Sequence, residues 1–211
     1  MNYKDLVANS RLREILATID NNNDNQMNHG FQHTVNVVEN IEKLGHLLKL
    51  DNKTLEHLKI AGYLHDIGQI ATTTNHSLEG SKMAMNYLSE EMDKKDYNKI
   101  LSAIKHHHEK EKIKELPLFE HIILFADKMD FTYKRLDKNY CKRHPEIDYV
   151  EKYVLEVNFE IEKTKFIVLI KSQDKEAINK IEAWEYYPKI KKRIAEFANK
   201  LNKEYQIRIY S

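Results

Sequence analysis

Apolar residues recur at helical spacing through the first two thirds of the chain and switch to alternation after about residue 148. Leu12, Ile15, Leu16 and Ile19 share one face of a predicted helix over 4–19. Residues 20–28 are almost wholly polar and rich in Asn, which predicts a loop that either covers a site or only connects. A helix from near Gly30 to Leu50 carries the stripe Val35, Val38, Ile41, Leu44, Leu47 and Leu48. Asp51 and Thr54 mark the start of the next. Its Leu55, Leu58, Ile60, Ala61 and Leu64 predict burial up to His65-Asp66, after which Gly68 lets the chain turn. Further helices are expected over 77–92, 95–108 and onward from Pro117, a favoured first-turn residue. Tyr63, Met83, Met85 and Met129 are expected in the core, and Trp184 against a C-terminal helix.

Beyond residue 148, Leu155, Val157, Phe159 and Ile161 alternate with Glu156, Asn158, Glu160 and Glu162, the pattern of a half-buried strand. Residues 166–170 are almost all apolar, and a turn at Lys163-Thr164 would make the two runs a hairpin. One long helix over 175–202, broken or kinked near Pro188, and a third strand over 206–210 complete the pattern. The reading is mainly α: a helical bundle over 1–148, followed over 149–211 by a smaller α+β part of β-hairpin and long helix. Only 5 Gly and 3 Pro fit long helices better than a turn-rich β fold.

Lys and Arg total 34 against 33 Asp and Glu, so no nucleic-acid partner is expected. Cys141 is alone, which excludes an intrachain disulfide and fits a reducing compartment. The start lacks an apolar leader, and no run approaches the roughly 20 apolar residues of a membrane span. A cytoplasmic protein with no membrane partner is expected. The apolar row of the hairpin needs cover, from the following helix or from a second subunit in a homodimer.

The chemistry concentrates on His65-Asp66. Burying an imidazole and an ionised carboxylate at the end of an apolar helix is costly unless each is paired or coordinated. His33 lies upstream; His76, the triplet His106-His107-His108 and Asp127 lie downstream. Ile100, Ile104 and His107 fall on one helix face, so His107 is the member of the triplet expected to point inward. Asp127 sits one turn past Ile123 on an apolar face. Imidazole with carboxylate and no thiolate suits open sites for Fe, Mn, Co, Mg or Zn and argues against a structural zinc site. Neither a Ser or Cys nucleophile motif nor a Gly-rich phosphate loop is present.

The ordered set His33, His65-Asp66, His76, His107, Asp127, with the run His65-Asp66-Ile67-Gly68, resembles the HD superfamily of metal-dependent phosphohydrolases, in the HDIG form of stand-alone bacterial HD proteins. The resemblance covers roughly 28–136. It implies that His33, His65, Asp66 and Asp127 hold one divalent ion, that His76 and His107 hold a second, and that Asp66 bridges them. It further implies that a metal-bound hydroxide attacks a phosphate ester or anhydride of a small phosphorylated substrate, expected to be a nucleotide. His108 is a ligand or a proton donor by the same resemblance, since some relatives carry a His-His-Glu run where this chain has His107-His108-Glu109. Lys128, next to Asp127, joins Asp66, His107 and His108 as a catalytic candidate; Lys105, Arg135 and Gln69 are candidates for substrate phosphate. Gln69 stands where relatives often carry a phosphate-facing Lys. Lys110-Glu111-Lys112 stands where the HD-GYP branch has Gly-Tyr-Pro, which argues against cyclic di-GMP as substrate. His29, four residues before His33, is either a further ligand, as some relatives use a carboxylate there, or a loop imidazole at the mouth. Asp130 is either a partner to a ligand or a helix-face acid. A non-catalytic metal and nucleotide sensor signalling through the C-terminal part, and a di-iron HD oxygenase, are the alternatives.

Overall fold

The structure is a computed structural model describing residues 1–108 and 113–211, so the readings placed on Glu109 and on Lys110-Glu111-Lys112 lie outside the described residues. The first expected helix is two, α1 (Tyr3–Ala8) and α2 (Ser10–Asn21). Asn9 breaks them apart: its backbone is extended, and its side chain accepts from Leu12 N, capping α2. At the far end of α2, Asp20 accepts from Gly30 N (2.9 Å) and Phe31 N (3.0 Å). This carboxylate fixes where α3 (Phe31–Leu47) begins, two residues before His33.

Val37, Ile41 and Leu44 of α3 are fully buried together with Leu58, Ala61 and Leu64 of α4 (Asn52–Leu64), which Asp51 caps through Thr54 N. His65 and Asp66 therefore fall in the first positions past the end of a buried helix, before a 3-10 turn over Ile67–Ile70. Gly68 was expected to serve the turn, yet no glycine of the described residues has positive φ. Its reason is proximity: a Cβ there would collide with the His76 carbonyl and the backbone of Gly80 in α5 (His76–Leu88). α6 spans Lys94–His106, so His107 is its cap residue; α7 (Leu118–Lys128) follows, with Pro117 as its N-cap. Met85 is exposed on α5 instead of lying in the core. The short α8 (Lys138–Arg143), which Asp137 caps through Tyr140 N, and a 3-10 turn over Val150–Tyr153 are additions to the expected elements.

β1 (Val154–Ile161) and β2 (Lys165–Ser172) form the expected hairpin, with Val157 opposite Ile170 and Ile161 opposite Phe166. The helix over 175–202 is instead two, α9 (Lys175–Ala183) and α10 (Tyr187–Lys200), parted by an extended Trp184. Pro188 lies in the first turn of α10, where its missing N–H deprives no helical bond, so it starts a helix and kinks none. The pair carries the chain across to β3 (Glu204–Tyr210), which lies parallel beside β2 in the order β1-β2-β3. The inner face of the sheet meets the helices through aromatics: Phe125 of α7 stacks on Phe197 of α10 at 4.2 Å and packs edge-on to Phe166 of β2 at 5.6 Å. One hydrophobic cluster runs from Leu6 to Ala198, and a small second one joins Ile113, Leu116 and Leu124.

One buried acid outside the site makes a pH test. Glu151 is almost wholly buried and accepts from Gln26 Nε2 at 3.0 Å. Burial pushes its carboxyl above the ordinary value. A raised folded pKa gives stability that is present at low pH and lost as pH rises through that pKa. Glu151→Gln keeps the acceptor without the charge, so it should raise the melting temperature at pH 7 and leave it unchanged at pH 4. An equal shift at both pH values would show that the charge is not the cause.

Candidate metal centre

Four histidines and two aspartates from five segments converge at one end of the bundle. His33 comes from the first turn of α3, His65 and Asp66 from the end of α4, His76 from the start of α5, His107 from the end of α6, and Asp127 from the last turn of α7. All six are nearly or fully buried. His33 Nε2 lies 3.1 Å from His65 Nε2, and His76 Nε2 lies 3.2 Å from His107 Nε2. Asp66 stands between the pairs. Its Oδ2 is 3.5 Å from His33 Nε2 and 3.4 Å from His65 Nε2, while its Oδ1 is 3.4 Å from both His76 Nε2 and His107 Nε2. Asp127 Oδ1 adds a third donor beside His33 at 3.3 Å.

The tautomers explain why these atoms face one another. His65 Nδ1–H donates to Gly62 O (2.7 Å), His76 Nδ1–H to Thr73 O (2.9 Å) and His107 Nδ1–H to Ile104 O (2.6 Å). His33 Nδ1–H donates to the Asp130 carboxylate at 2.7 Å. Each neutral ring then presents a bare lone pair at Nε2. Two lone pairs at about 3 Å cannot hydrogen-bond to each other, and they repel unless a cation lies beside both. Separations of 3.1–3.5 Å are those of neighbouring ligands around a divalent ion with bonds of about 2.0–2.2 Å. The donor set therefore fits divalent metal, and three of the triads that could hold an ion draw only on these six residues and His29.

Electrostatics point the same way. Burial opposes ionisation of Asp66, yet His65, His107 and His29 hold its carboxyl well below the usual range. Asp127 is also held low against burial, by Lys128 and His33. Burial pushes the His107 imidazole down. For His65, burial is outweighed by Asp66, and its pKa rises. Two buried carboxylates thus remain ionised and attract positive charge.

A family model described as the HD domain matches residues 30–132. This is an HD-domain protein. The matched span contains His33, His65, Asp66, His76, His107 and Asp127. A crystal structure of a predicted HD superfamily hydrolase from an uncultured Thermotogales bacterium is similar at 24% identity and a TM-score of 0.48, over 63% of this chain and 75% of that one. A search of the curated proteins returned no match. Among the described residues, no helix is long and apolar enough to cross a membrane.

Around the centre of the HD domain, the remaining sequence candidates fall into different places. His108 stands at the edge, its ring 4.5 Å from that of His76; the part of the ring turned toward the centre is desolvated, and this and Lys128 push its pKa down to about 3. Lys128 Nζ donates to Asp127 Oδ2 at 2.7 Å and reaches His108 Nε2 at 3.4 Å. Arg135 is committed to the protein: Nε donates to Asn28 O and Nη1 to Asp130 O, at 3.1 and 3.0 Å. Gln69 lies in the 3-10 turn, where its N–H donates to Asp66 O at 2.9 Å. Lys105 is exposed on α6. His29, left open by the sequence, reaches Asp66 Oδ2 with Nδ1 at 2.9 Å.

Sequence reasoning missed Asn36, which donates to Asp130 Oδ1 at 3.0 Å while Asp130 Oδ2 holds His33. A signal existed: Asn36 lies one turn past His33 on an otherwise apolar stretch of α3. It also missed buried Glu120, which accepts from Ser102 Oγ and His106 Nδ1 at 2.6 and 2.9 Å and so ties α6 to α7 behind His107. Groups that orient a ligating imidazole typically matter about 10–100-fold in metal affinity. Asp130→Ala should lower affinity by that order, read by competition with a chelator, with helix content preserved. Unchanged affinity would reduce Asp130 to a packing role.

Proposed function

We propose that this HD-domain protein is a metal-dependent hydrolase acting on a phosphate ester or anhydride, of the nucleotide class, at a centre of two divalent ions. The observation that carries this reading is the split of Asp66, one oxygen toward His33 and His65 and the other toward His76 and His107. His33, His65, Asp127 and Asp66 would hold one ion; Asp66, His76 and His107 would hold the other. Divalent ions held there would lower the pKa of a bound water, which can fall from 15.7 to about 7, and so would supply a nucleophile at neutral pH.

The chain's own groups do the rest. Lys128 is more than a third exposed, so its ammonium, anchored on Asp127, can also meet a phosphate oxygen. His108, with its pKa near 3, is neutral at pH 7 and serves as a hydrogen-bond partner on the open side, not as a cation. Phe31, exposed two residues before His33, offers a ring face for a base.

The test is phosphate release from mono-, di- and cyclic nucleotides by the purified full chain with manganese, cobalt or iron, alongside metal analysis. Release from at least one class, lost on chelation, is the expected result. Bound metal with no release from any of them would favour a non-catalytic sensor, and oxygen-dependent turnover without phosphate release would favour the oxygenase alternative.

A further inference from the structure

A cavity of about 390 Å³ opens between α3 and β1, reached from the Nδ1 side of His33 through Asp130 and Asn36, and it shares no candidate ligand with the metal centre. Its volume lies in the range of small-molecule sites, roughly 300–1,000 Å³. One wall is a stripe of α3, Asn36, Glu39, Asn40 and Lys43, at the i, i+3, i+4, i+7 spacing of a single face. A helix face turned toward a sheet is ordinarily apolar. Here Asn36 and Asn40 are buried and hydrogen-bonded across to Asp130 Oδ1 (3.0 Å) and Ala126 O (3.2 Å), while Glu39 and Lys43 of the same stripe face the cavity.

Three ammonium groups, of Lys43, Lys134 and Lys171, line this cavity together with the carboxylates of Glu39, Glu156 and Asp130, and the ion pairs between them are long. Lys43 Nζ donates to Val157 O at 2.8 Å, but its nearest carboxylate, Glu156, is 3.8 Å away. Lys134 is 3.9 Å from Glu39. Among the described residues Lys171 has no carboxylate within ion-pair distance. An ammonium has three donors, so Lys43 and Lys134 retain hydrogens for a further acceptor. Tyr133, half exposed at the rim, adds an aromatic face.

The floor of the cavity is the pair that orients a ligand of the metal centre. Asn36 and Asp130 both line it; Asn36 donates to one oxygen of Asp130, and the other oxygen accepts from His33 Nδ1. We propose that this cavity is a second binding site, for a small organic anion bearing a phosphate or a carboxylate, and that the metal centre senses its occupancy through Asn36, Asp130 and His33. The binding site stands whether or not the protein hydrolyses phosphate; the coupling rests on His33 being a metal ligand.

Calorimetry on the full chain tests it, with AMP as the phosphate probe and succinate as the carboxylate probe. Asp66→Ala, which disables the metal centre, removes binding there from the measurement. At least one probe should bind the Asp66→Ala protein. Adding Lys171→Gln, which removes the charge without setting a second carboxylate opposite Glu156 across the strands, should weaken that binding at least ~10-fold, the scale of losing one charged hydrogen bond. Binding of AMP alone or succinate alone identifies the anionic group. Binding of neither overturns the site, as does binding to the Asp66→Ala protein that ignores Lys171→Gln. In the unmutated protein the probe and the metal should change each other's affinity by the same factor. Unchanged metal affinity with the probe bound overturns the coupling.

Discussion

Asp66→Ala should abolish binding of divalent metal at the centre and lower phosphate release by at least ~10³-fold, the equivalent of several kcal/mol of charge stabilisation. Its two oxygens face both imidazole pairs, and among the described residues no other carboxylate stands beside the His76 and His107 lone pairs. The other pair keeps Asp127 through His33. Histidine alone supplies no negative charge to offset a dication, so the second position should empty first. His76→Ala separates the cases: it should lose one metal equivalent while the side of His33, His65 and Asp127 keeps the other. Metal analysis after gel filtration reads both variants, and circular dichroism checks that helix content is retained. If Asp66→Ala keeps both equivalents, Asp66 does not bridge. If it keeps full activity, the chemistry lies elsewhere.

The part of this site legible in the sequence is the part built from local pattern. His65-Asp66 stood out because α4 is apolar up to its last residue, and His107 and Asp127 because each extends an apolar stripe by one turn. What sets their chemistry was not legible. Three Nδ1 protons are held by backbone carbonyls three residues upstream, which leave no trace in residue type. The fourth is held by Asp130, 97 residues away from His33. The fold shows the same division. Alternation marked β1 and an almost wholly apolar run marked β2, but the parallel register of β3 on β2 follows from the path of α9 and α10 across the sheet, and no period in the chain encodes it. Gly68 looked like a turn residue because turns are the usual reason for glycine; contact with Gly80 is a tertiary reason. Arg135 shows the reverse limit. A cation two turns past a metal ligand reads as a phosphate binder, whereas its guanidinium holds Asn28 and Asp130 in place.

Phe125→Ala should destabilise the whole chain by ~3–5 kcal/mol, the range for removing a buried aromatic ring. For a chain of this size that is a drop in melting temperature of roughly 6–20 °C. The ring is fully buried and lies between both parts of the molecule: stacked on Phe197 of α10, edge-on to Phe166 of β2, and 5.4 Å from Phe159 of β1. The sheet's inner face has its aromatic cover here, so loss of the ring should loosen helices and sheet together. Thermal melting followed by far-ultraviolet dichroism and by Trp184 fluorescence should therefore give one coincident transition, in the variant as in the unmutated chain. Two separated transitions would mean that residues 149–211 fold as an independent unit. The effect should also reach the metal centre. Phe125 lies two residues before Asp127 on α7, and a cavity there frees the last turn of the helix to shift. Metal affinity should fall with stability, and Phe125→Leu, which refills most of the volume, should recover much of both. A variant that melts early yet binds metal as tightly as before would show that α6 and Glu120 hold the last turn of α7 without help from the sheet.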